Sequence, residues 1–182
     1  MNIFYIDTNP LRAAEQMVDK HVVKMILETA QLLSTAHRLI DGEEYVGKSA
    51  SGRKARRWRL PDEREDIMYS ATHMNHPSAV WVRQSNNNYN WLFCHFIGLL
   101  NEYTYRYEKN HKCSDQKFID TLKHPPNNIP VGYFTAPTPA MLDEYKIGVD
   151  SLASYRNYYK IGKAHLHSWK KREVPEWVKQ HE

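Results

Sequence analysis

The chain has 182 residues, of which 41% are hydrophobic and 12% aromatic, so it can bury a core and intrinsic disorder is excluded. The formal net charge of +4 is too small to specify a partner, and no early apolar run is long enough for a signal peptide or a membrane span. We therefore expect one domain, residues 1–182, in the cytoplasm with no membrane partner, where Cys94 and Cys113 remain reduced.

The chain begins with a short extended segment, Asn2–Ile6, whose apolar residues tie it to the core. The run Asp7-Thr8-Asn9-Pro10 predicts a helix start, because a capping side chain precedes a proline at the first helical position. The helix is predicted to run from Pro10 to Leu39, with a second start at Asp19, and Asp41-Gly42 ends it.

The stretch Asp19–Leu39 is apolar on most sides, which predicts a helix sandwiched inside the domain. One line of polar residues interrupts it at steps of three and four, which places them on a single face: His21, Lys24, Glu28, Gln31 and Thr35. Buried polar groups need partners or a wet cleft. The line is therefore either an internal network around a Lys24–Glu28 pair or the wall of an active site.

The remaining pattern predicts further helices separated by loops. The predicted elements are a loop over Gly42–Asp62, a helix from Pro61 to about His73, a helix starting at Pro77, an amphipathic helix Tyr89–Tyr107, a short helix Asp115–Leu122, a loop His124–Pro130, and a last long helix from Thr138-Pro139 to about Tyr159. We therefore predict an all-α fold: a mostly helical single domain with a short extended N-terminal segment.

Two segments concentrate positive charge without acidic residues. The first contains Lys48, Arg53, Lys54, Arg56, Arg57 and Arg59, with Trp58 among them, and the second contains Arg156, Lys160 and Lys163. A solvated loop is one interpretation of such a run. Guanidinium groups beside an indole suit phosphates and bases together, so we predict that both segments bind double-stranded DNA.

Two further patterns, one typical of a nucleotide-binding loop and one of a metal site, lack the sequence context that such sites need. Gly42–Ser49 matches the phosphate-loop pattern GxxxxGK[ST], but a helix precedes it and Gly52 falls where a helix should follow. The histidines and cysteines match no metal-ligand spacing. We therefore predict no nucleotide site, no metal and no cofactor.

The spacing Asp19-x-His21, with Glu28 seven residues further on, resembles the first helix of the phage pyrimidine-dimer DNA glycosylases of the endonuclease V type. Tyr158-Tyr159 and Gly162-Lys163-Ala164 are similar to the aromatic and basic tail of that family. The resemblance implies a small helical fold, DNA as substrate, an infected bacterial cell as location, and Glu28 as the catalytic acid with His21 beside it.

Two departures from the family pattern affect the expected chemistry. The family uses the amine of the residue exposed by removal of the initiator methionine, but Asn2 is large enough for Met1 to stay. The amine would then move by one residue, more than about 3 Å, which we expect to spoil its attack. The family's arginines beside the glutamate are replaced by Leu27 and Gln31.

These features lead to a set of candidate site residues. We assign Glu28 as general base or acid, Lys24 as the group that steers an anionic leaving group, and His21 as a phosphate, base or proton contact. Residues expected to contact the substrate are Gln31, Asn2, Tyr158 and Tyr159.

Three functions fit these assignments. The favoured one transfers a free amino acid or polyamine to an activated 5-methylene group of a thymine-type base in duplex DNA, because Asn2 removes the nucleophile that a glycosylase needs. The alternatives are a pyrimidine-dimer glycosylase and lyase, which would flip the target nucleotide, and a DNA-binding protein without catalysis.

Overall fold

The computed structural model describes residues 1–49 and 51–179. In chain order the elements are α1 (Pro10–Glu15), α2 (Asp19–Asp41), β1 (Glu43–Lys48), β2 (Lys54–Arg59), α3 (Arg64–Ile67), α4 (Pro77–Val82), α5 (Asn86–Tyr107), α6 (Gln116–Leu122), α7 (Ser151–Lys160) and α8 (Glu176–Lys179), with 3₁₀ turns at Lys112–Ser114, Asp143–Tyr145 and Ala164–Leu166. The prediction of a mostly helical fold is confirmed, and the hairpin β1–β2 corrects the all-α class. Within these residues no helix is both long and apolar enough to cross a bilayer.

Helix α2 is the centre of the core and packs against α4 and α5. Its interior face includes Val22, Ile26 and Leu33, all without exposed surface. Helix α1 lies close against α5 because Gly98 has no side chain: a Cβ there would come within 3.0 Å of the Cβ of Ala14. The predicted interior position of α2 is therefore confirmed for most of its circumference, and the second helix start at Asp19 is confirmed as well.

The N-terminal segment is buried, as predicted, but residues 1–7 form neither helix nor strand. The side chain of Asn2 stabilises it, because Oδ1 accepts hydrogen bonds from the backbone N–H groups of Ile3 at 2.8 Å and Phe4 at 3.3 Å. Phe4 adopts a left-handed backbone conformation with φ of +56°. This tight path brings the first two residues back onto α2.

The predicted loop Gly42–Asp62 is wrong: most of it forms an antiparallel hairpin that pairs Glu43 with Arg59 and Lys48 with Lys54. Arg38 of α2 holds this hairpin by donating to the carbonyl of Trp58 at 2.9 Å. The phosphate-loop pattern falls on β1 and is followed by β2. No helix N-terminus is therefore available there to hold a phosphate.

Two predicted helices are much shorter than expected. Between Pro61 and His73 only Arg64–Ile67 is helical, and the carbonyls of Met68 and Tyr69 instead accept hydrogen bonds from Arg38 at 2.8 and 2.7 Å. The last long helix begins at Ser151 and not at Thr138, because the Asp150 side chain caps it by accepting from the N–H of Ala153 at 2.9 Å.

The C-terminal segment is tied to the beginning of α2 through Asp19. The Asp19 carboxylate accepts from the Ser168 hydroxyl at 2.6 Å, the Lys170 N–H at 2.9 Å and the Arg106 guanidinium at 2.8 Å. Arg106 has no exposed surface and also pairs with Glu102 at 2.6 Å. The aspartate that resembles the family motif is thus a structural tether in this fold.

The buried histidine His95 should make the folded protein less stable at acidic pH. Burial lowers the pKa of His95 to about 4, while its Nδ1 donates to the Pro10 carbonyl at 2.9 Å. Between pH 4 and the ordinary histidine pKa of about 6.5, the unfolded chain binds a proton that the folded chain does not, so the unfolding free energy decreases as pH decreases. From pH 7 to pH 5 we expect this residue to lower that free energy by about 2 kcal/mol.

Urea unfolding of the wild type and of His95→Gln at both pH values checks this. The variant should lose about 2 kcal/mol less on acidification than the wild type, whatever its own stability at pH 7. His165→Gln, which changes an exposed histidine, is the control and should keep the wild-type pH dependence. Equal pH dependence in His95→Gln and the wild type would contradict the assignment.

Candidate active site

Glu28 lies where the N-terminal segment crosses α2, and both of its carboxylate oxygens have cationic or N–H partners. Oε2 accepts from the backbone N–H of Asn2 at 3.1 Å and lies 3.6 Å from the α-amine of Met1. Oε1 lies 3.3 Å from Nζ of Lys24. The Glu28 side chain is 14% exposed and that of Lys24 is 68% exposed. The carboxylate is therefore recessed but reaches the surface, and Lys24 stands at its outer side.

His21 marks the sealed end of the polar line. Its ring stacks on Phe4 with 4.2 Å between ring centroids, and Nδ1 shares a hydrogen bond of 2.7 Å with the Tyr159 hydroxyl. Burial, and then the positive charges of Lys163 and Lys24, lower the pKa of His21 to about 3. The imidazole is therefore neutral at physiological pH and supports the N-terminal segment through Phe4.

The other predicted substrate contacts have different surroundings. Tyr159 has no exposed surface with which to touch a substrate, which corrects that prediction: its hydroxyl holds His21 and accepts from the N–H of Val18 at 3.3 Å. Tyr158 is half-buried beside the site, with Nζ of Lys163 over its ring at 4.8 Å. Gln31 is half-buried one turn of α2 beyond Glu28.

The expected displacement of the amine by one residue does not separate it from Glu28. The Asn2 side chain anchors the start of the chain, because Nδ2 donates to the Ala140 carbonyl at 2.8 Å while Oδ1 holds the next two N–H groups. The Met1 side chain is 2% exposed and packs against the core. As a result, the nitrogens of residues 1 and 2 both face the same carboxylate oxygen.

The first basic segment is an exposed cationic hairpin. Lys48, Arg53, Lys54 and Arg59 are exposed, whereas Arg56 forms a two-bond pair with Glu44 at 2.5 and 2.7 Å. Arg57 is half-buried and donates to the Lys48 carbonyl at 3.0 Å. Trp58 is only 8% exposed, and the Arg56 guanidinium lies 5.1 Å from its ring centroid, so little of the indole surface is open for the predicted stacking on bases.

The second basic segment borders the N-terminal segment. Arg156 donates from Nε to the Ile6 carbonyl at 2.9 Å, and its guanidinium lies 5.3 Å from the ring centroid of Trp177. Lys163 is close enough to His21 for its charge to lower the histidine pKa. Lys160 is half-buried on the last turn of α7. Positive charge from the second basic segment therefore lies beside the N-terminal segment and His21 in three dimensions, although it is far from both in sequence.

The structure adds His76, which sequence patterns indicate only as a helix cap before Pro77. Burial lowers its pKa, followed by the positive charge of the chain's α-amine and of His73, while Glu28 opposes the change. The charges of the α-amine and of Glu28 are therefore close enough to His76 to change its pKa in opposite directions. In the sequence, a histidine before a helix-starting proline indicates a helix cap. It does not indicate that this histidine lies near the α-amine and Glu28.

Among the described residues no group of histidine, cysteine and acidic side chains is arranged to hold a metal ion. Cys94 and Cys113 are both free thiols.

The described chain is a helical domain that holds an amine against a recessed glutamate, with the exposed Lys24 at the outer side of the carboxylate. The family model described as pyrimidine dimer DNA glycosylase matches residues 1–115, and the chain belongs to this family. Comparisons with curated proteins and with solved structures give no match. The matched range contains Asn2, His21 and Glu28 and ends before the second basic segment. It confirms the resemblance inferred from the first long helix.

Proposed function

We propose that this protein is a DNA glycosylase and lyase that acts on a pyrimidine nucleotide in duplex DNA, with the α-amine at Glu28 as nucleophile. One observation carries the proposal: the α-amine of Met1 lies 3.6 Å from Oε2 of a carboxylate that is recessed but still open to solvent. Membership of the pyrimidine dimer DNA glycosylase family supports it.

The chemistry follows from the groups around this amine. The lone pair of the neutral amine attacks C1′ of the target deoxyribose, and the C1′–N1 bond breaks with its electron pair remaining on the pyrimidine. Glu28 takes the proton that the nitrogen loses. When the C1′–O4′ bond then breaks, Glu28 returns this proton to O4′ and a protonated imine joins protein and sugar. Lys24, with Nζ 3.3 Å from Oε1 of Glu28, supplies a positive charge beside this carboxylate.

Transfer of a free amino acid or polyamine, the chemistry favoured from the sequence, depended on the absence of a protein nucleophile. The α-amine of Met1 lies 3.6 Å from Oε2 of Glu28, so the chain offers a nucleophile of its own. The glycosylase is therefore the better-supported candidate. The non-catalytic alternative required a closed polar network, whereas Glu28 reaches the surface beside an exposed lysine.

The test is incubation of the full chain with ultraviolet-irradiated duplex DNA and borohydride, which reduces an imine to a stable covalent link. We expect a protein–DNA adduct, and peptide mass spectrometry should place it on the α-nitrogen of residue 1, or of residue 2 if Met1 is removed. No adduct, together with incorporation of a labelled amino acid into DNA containing 5-hydroxymethyluracil phosphate, would replace the proposal by the transferase. DNA binding with neither result would leave a DNA-binding protein.

We propose that the exposed cationic hairpin contacts DNA phosphates. Replacing Arg53 and Lys54 together by alanine should weaken duplex binding and lower the slope of log affinity against log salt by about one for each lost contact. Fluorescence anisotropy over a range of salt concentrations measures this slope. Lys109→Ala with Lys112→Ala removes the same charge from exposed positions outside both basic segments and should leave the slope unchanged. Identical slopes for all three proteins would exclude the hairpin.

A further inference from the structure

Residues 137–140, here called the proline segment, connect α7 to the beginning of the chain. Tyr155 of α7 makes two hydrogen bonds to this segment through one hydroxyl, which accepts from the N–H of Ala140 at 3.2 Å and donates to the carbonyl of Thr138 at 3.2 Å. The segment in turn holds residue 2, because the Ala140 carbonyl accepts from the Asn2 side chain at 2.8 Å. Ala140 is therefore bonded to α7 through its N–H and to the start of the chain through its carbonyl.

The proline segment has little conformational freedom of its own. Pro137 and Pro139 fix the backbone φ angle at two of its four positions, and each also restricts the residue before it. The hydroxyl of Ser151, at the start of α7, donates to the Pro137 carbonyl. A stiff segment that is bonded to the helix at several points transmits the position of α7 to the Asn2 side chain.

Tyr155 acts entirely inside the protein. It has no exposed surface, and its ring meets the edge of Phe4 with 6.4 Å between the ring centroids. Burial raises the pKa of Tyr155 above its ordinary value, so the hydroxyl keeps its proton and remains a donor at physiological pH. Any effect of Tyr155 on a reaction at the surface must therefore pass through the residues that it holds.

The beginning of the chain needs such support, because chain ends are poorly ordered unless they are tied down. Oε2 of Glu28 accepts from the Asn2 N–H at 3.1 Å and lies 3.6 Å from the α-amine of Met1. A misplacement of about 1 Å can slow a reaction about 10²-fold. Helix α7 also holds the segment further along, where Arg156 donates to the Ile6 carbonyl at 2.9 Å.

We propose that Tyr155 is a positioning residue for the nucleophile, and that it keeps the α-amine in place at Glu28 by way of the proline segment and Asn2. This inference rests on the proposed glycosylase function. Tyr155 exchanges no proton and touches no substrate, so it should affect the attack of the amine and not the binding of DNA. The match to the family model ends at residue 115, so this support comes from a part of the chain outside the match.

Tyr155→Phe removes the hydroxyl and keeps the ring that packs on Phe4. Single-turnover rates of borohydride-trapped adduct are measured with saturating protein on two duplexes, one irradiated and one with an abasic site. We expect the variant to be slower by about 10- to 10²-fold on both, because the same misplaced amine attacks both substrates. Its affinity for duplex DNA should equal that of the wild type.

Tyr89→Phe is the matched control for a loss of stability. Tyr89 also has no exposed surface, and its hydroxyl donates to the Leu122 carbonyl at 2.8 Å. Urea unfolding should show a comparable loss of stability in both phenylalanine variants. Only Tyr155→Phe should lose rate.

A double-mutant cycle tests the route through residue 2. Asn2→Asp keeps an acceptor for the N–H groups of Ile3 and Phe4, but its carboxylate cannot donate to the Ala140 carbonyl. This variant should itself be slower than the wild type. In its background Tyr155→Phe should change the rate by less than about threefold, because the link through which the hydroxyl acts is already broken.

Ser151→Ala removes another hydrogen bond between α7 and the proline segment. It takes the place of Tyr155→Phe in every comparison if the phenylalanine variant does not fold.

Four results would overturn the positioning role while leaving the glycosylase in place: a wild-type rate in Tyr155→Phe, a loss no larger than that of Tyr89→Phe, a loss on one duplex alone, or losses that multiply fully in the double variant. A wild-type protein that forms no adduct with either duplex would overturn the proposed function itself, and this inference with it.

Discussion

Replacing Glu28 by glutamine should lower the rate of adduct formation on irradiated DNA by about 10²- to 10⁴-fold, the range typical for loss of a positioned acid or base. The amide cannot take the proton that the attacking amine releases. Its oxygen can still accept from the Asn2 N–H, which Glu28 holds at 3.1 Å, so the N-terminal segment should keep its path. The measurement is the single-turnover rate with borohydride, using saturating protein.

Binding separates this chemical effect from a loss of structure. We expect Glu28→Gln to bind duplex DNA at least as tightly as the wild type, because the substitution removes a negative charge near the proposed DNA path. Asp66→Asn, which removes an exposed carboxylate elsewhere, should leave rate and affinity unchanged. A Glu28→Gln protein with the wild-type rate would remove the acid–base role and the chemistry proposed above.

Replacing Arg106 by alanine should lower the unfolding free energy by about 3–5 kcal/mol, the range for breaking a buried ion pair from one side. The guanidinium has no exposed surface, pairs with Glu102 and Asp19 at 2.6 and 2.8 Å, and donates to the carbonyls of Met17 at 2.9 Å and Glu15 at 2.8 Å. Its loss leaves a nearly buried carboxylate and two carbonyls short of a donor. Urea unfolding followed by circular dichroism measures the change.

An exposed ion pair is the matched comparison. Lys179 pairs with Glu176 at 2.7 Å near the end of the described chain, and both side chains are largely exposed. Lys179→Ala should change the unfolding free energy by less than about 1 kcal/mol, because water and salt screen such a pair. If Arg106→Ala were no more destabilising than Lys179→Ala, the buried network would not be a major source of stability.

The polar line of α2 shows which features of the candidate site helix periodicity can predict and which it cannot. The spacing of His21, Lys24 and Glu28 places them on one face in any helix, because the turn length is a local property of the backbone. It does not decide which part of the face is open. Tyr159 and Phe4 close the end at His21. Lys24 remains in solvent, and the exposure of the Glu28 side chain is intermediate between that of His21 and that of Lys24.

The hairpin was missed and the start of α7 was predicted too early, both because contacts between elements decide them. The side chains of β1 are nearly all exposed, so the strand lacks the alternating pattern that identifies a half-buried strand. Its position depends on pairing with β2 and on Arg38, which reaches Trp58 from α2. The late start of α7 depends on the Asp150 cap, which competes with the equally plausible signal at Thr138-Pro139.

The sequence by itself determined the helical class of the fold, the face of α2 that carries the acid, and the family signature from Asp19 to Glu28. All three rest on spacings within one element. The tertiary structure alone decided that the nitrogens of Met1 and Asn2 meet a carboxylate 27 and 26 positions away. Contacts between residues that are distant in sequence depend on how the helices pack and on the paths of the segments that connect them. The periodicity of a single element does not specify either.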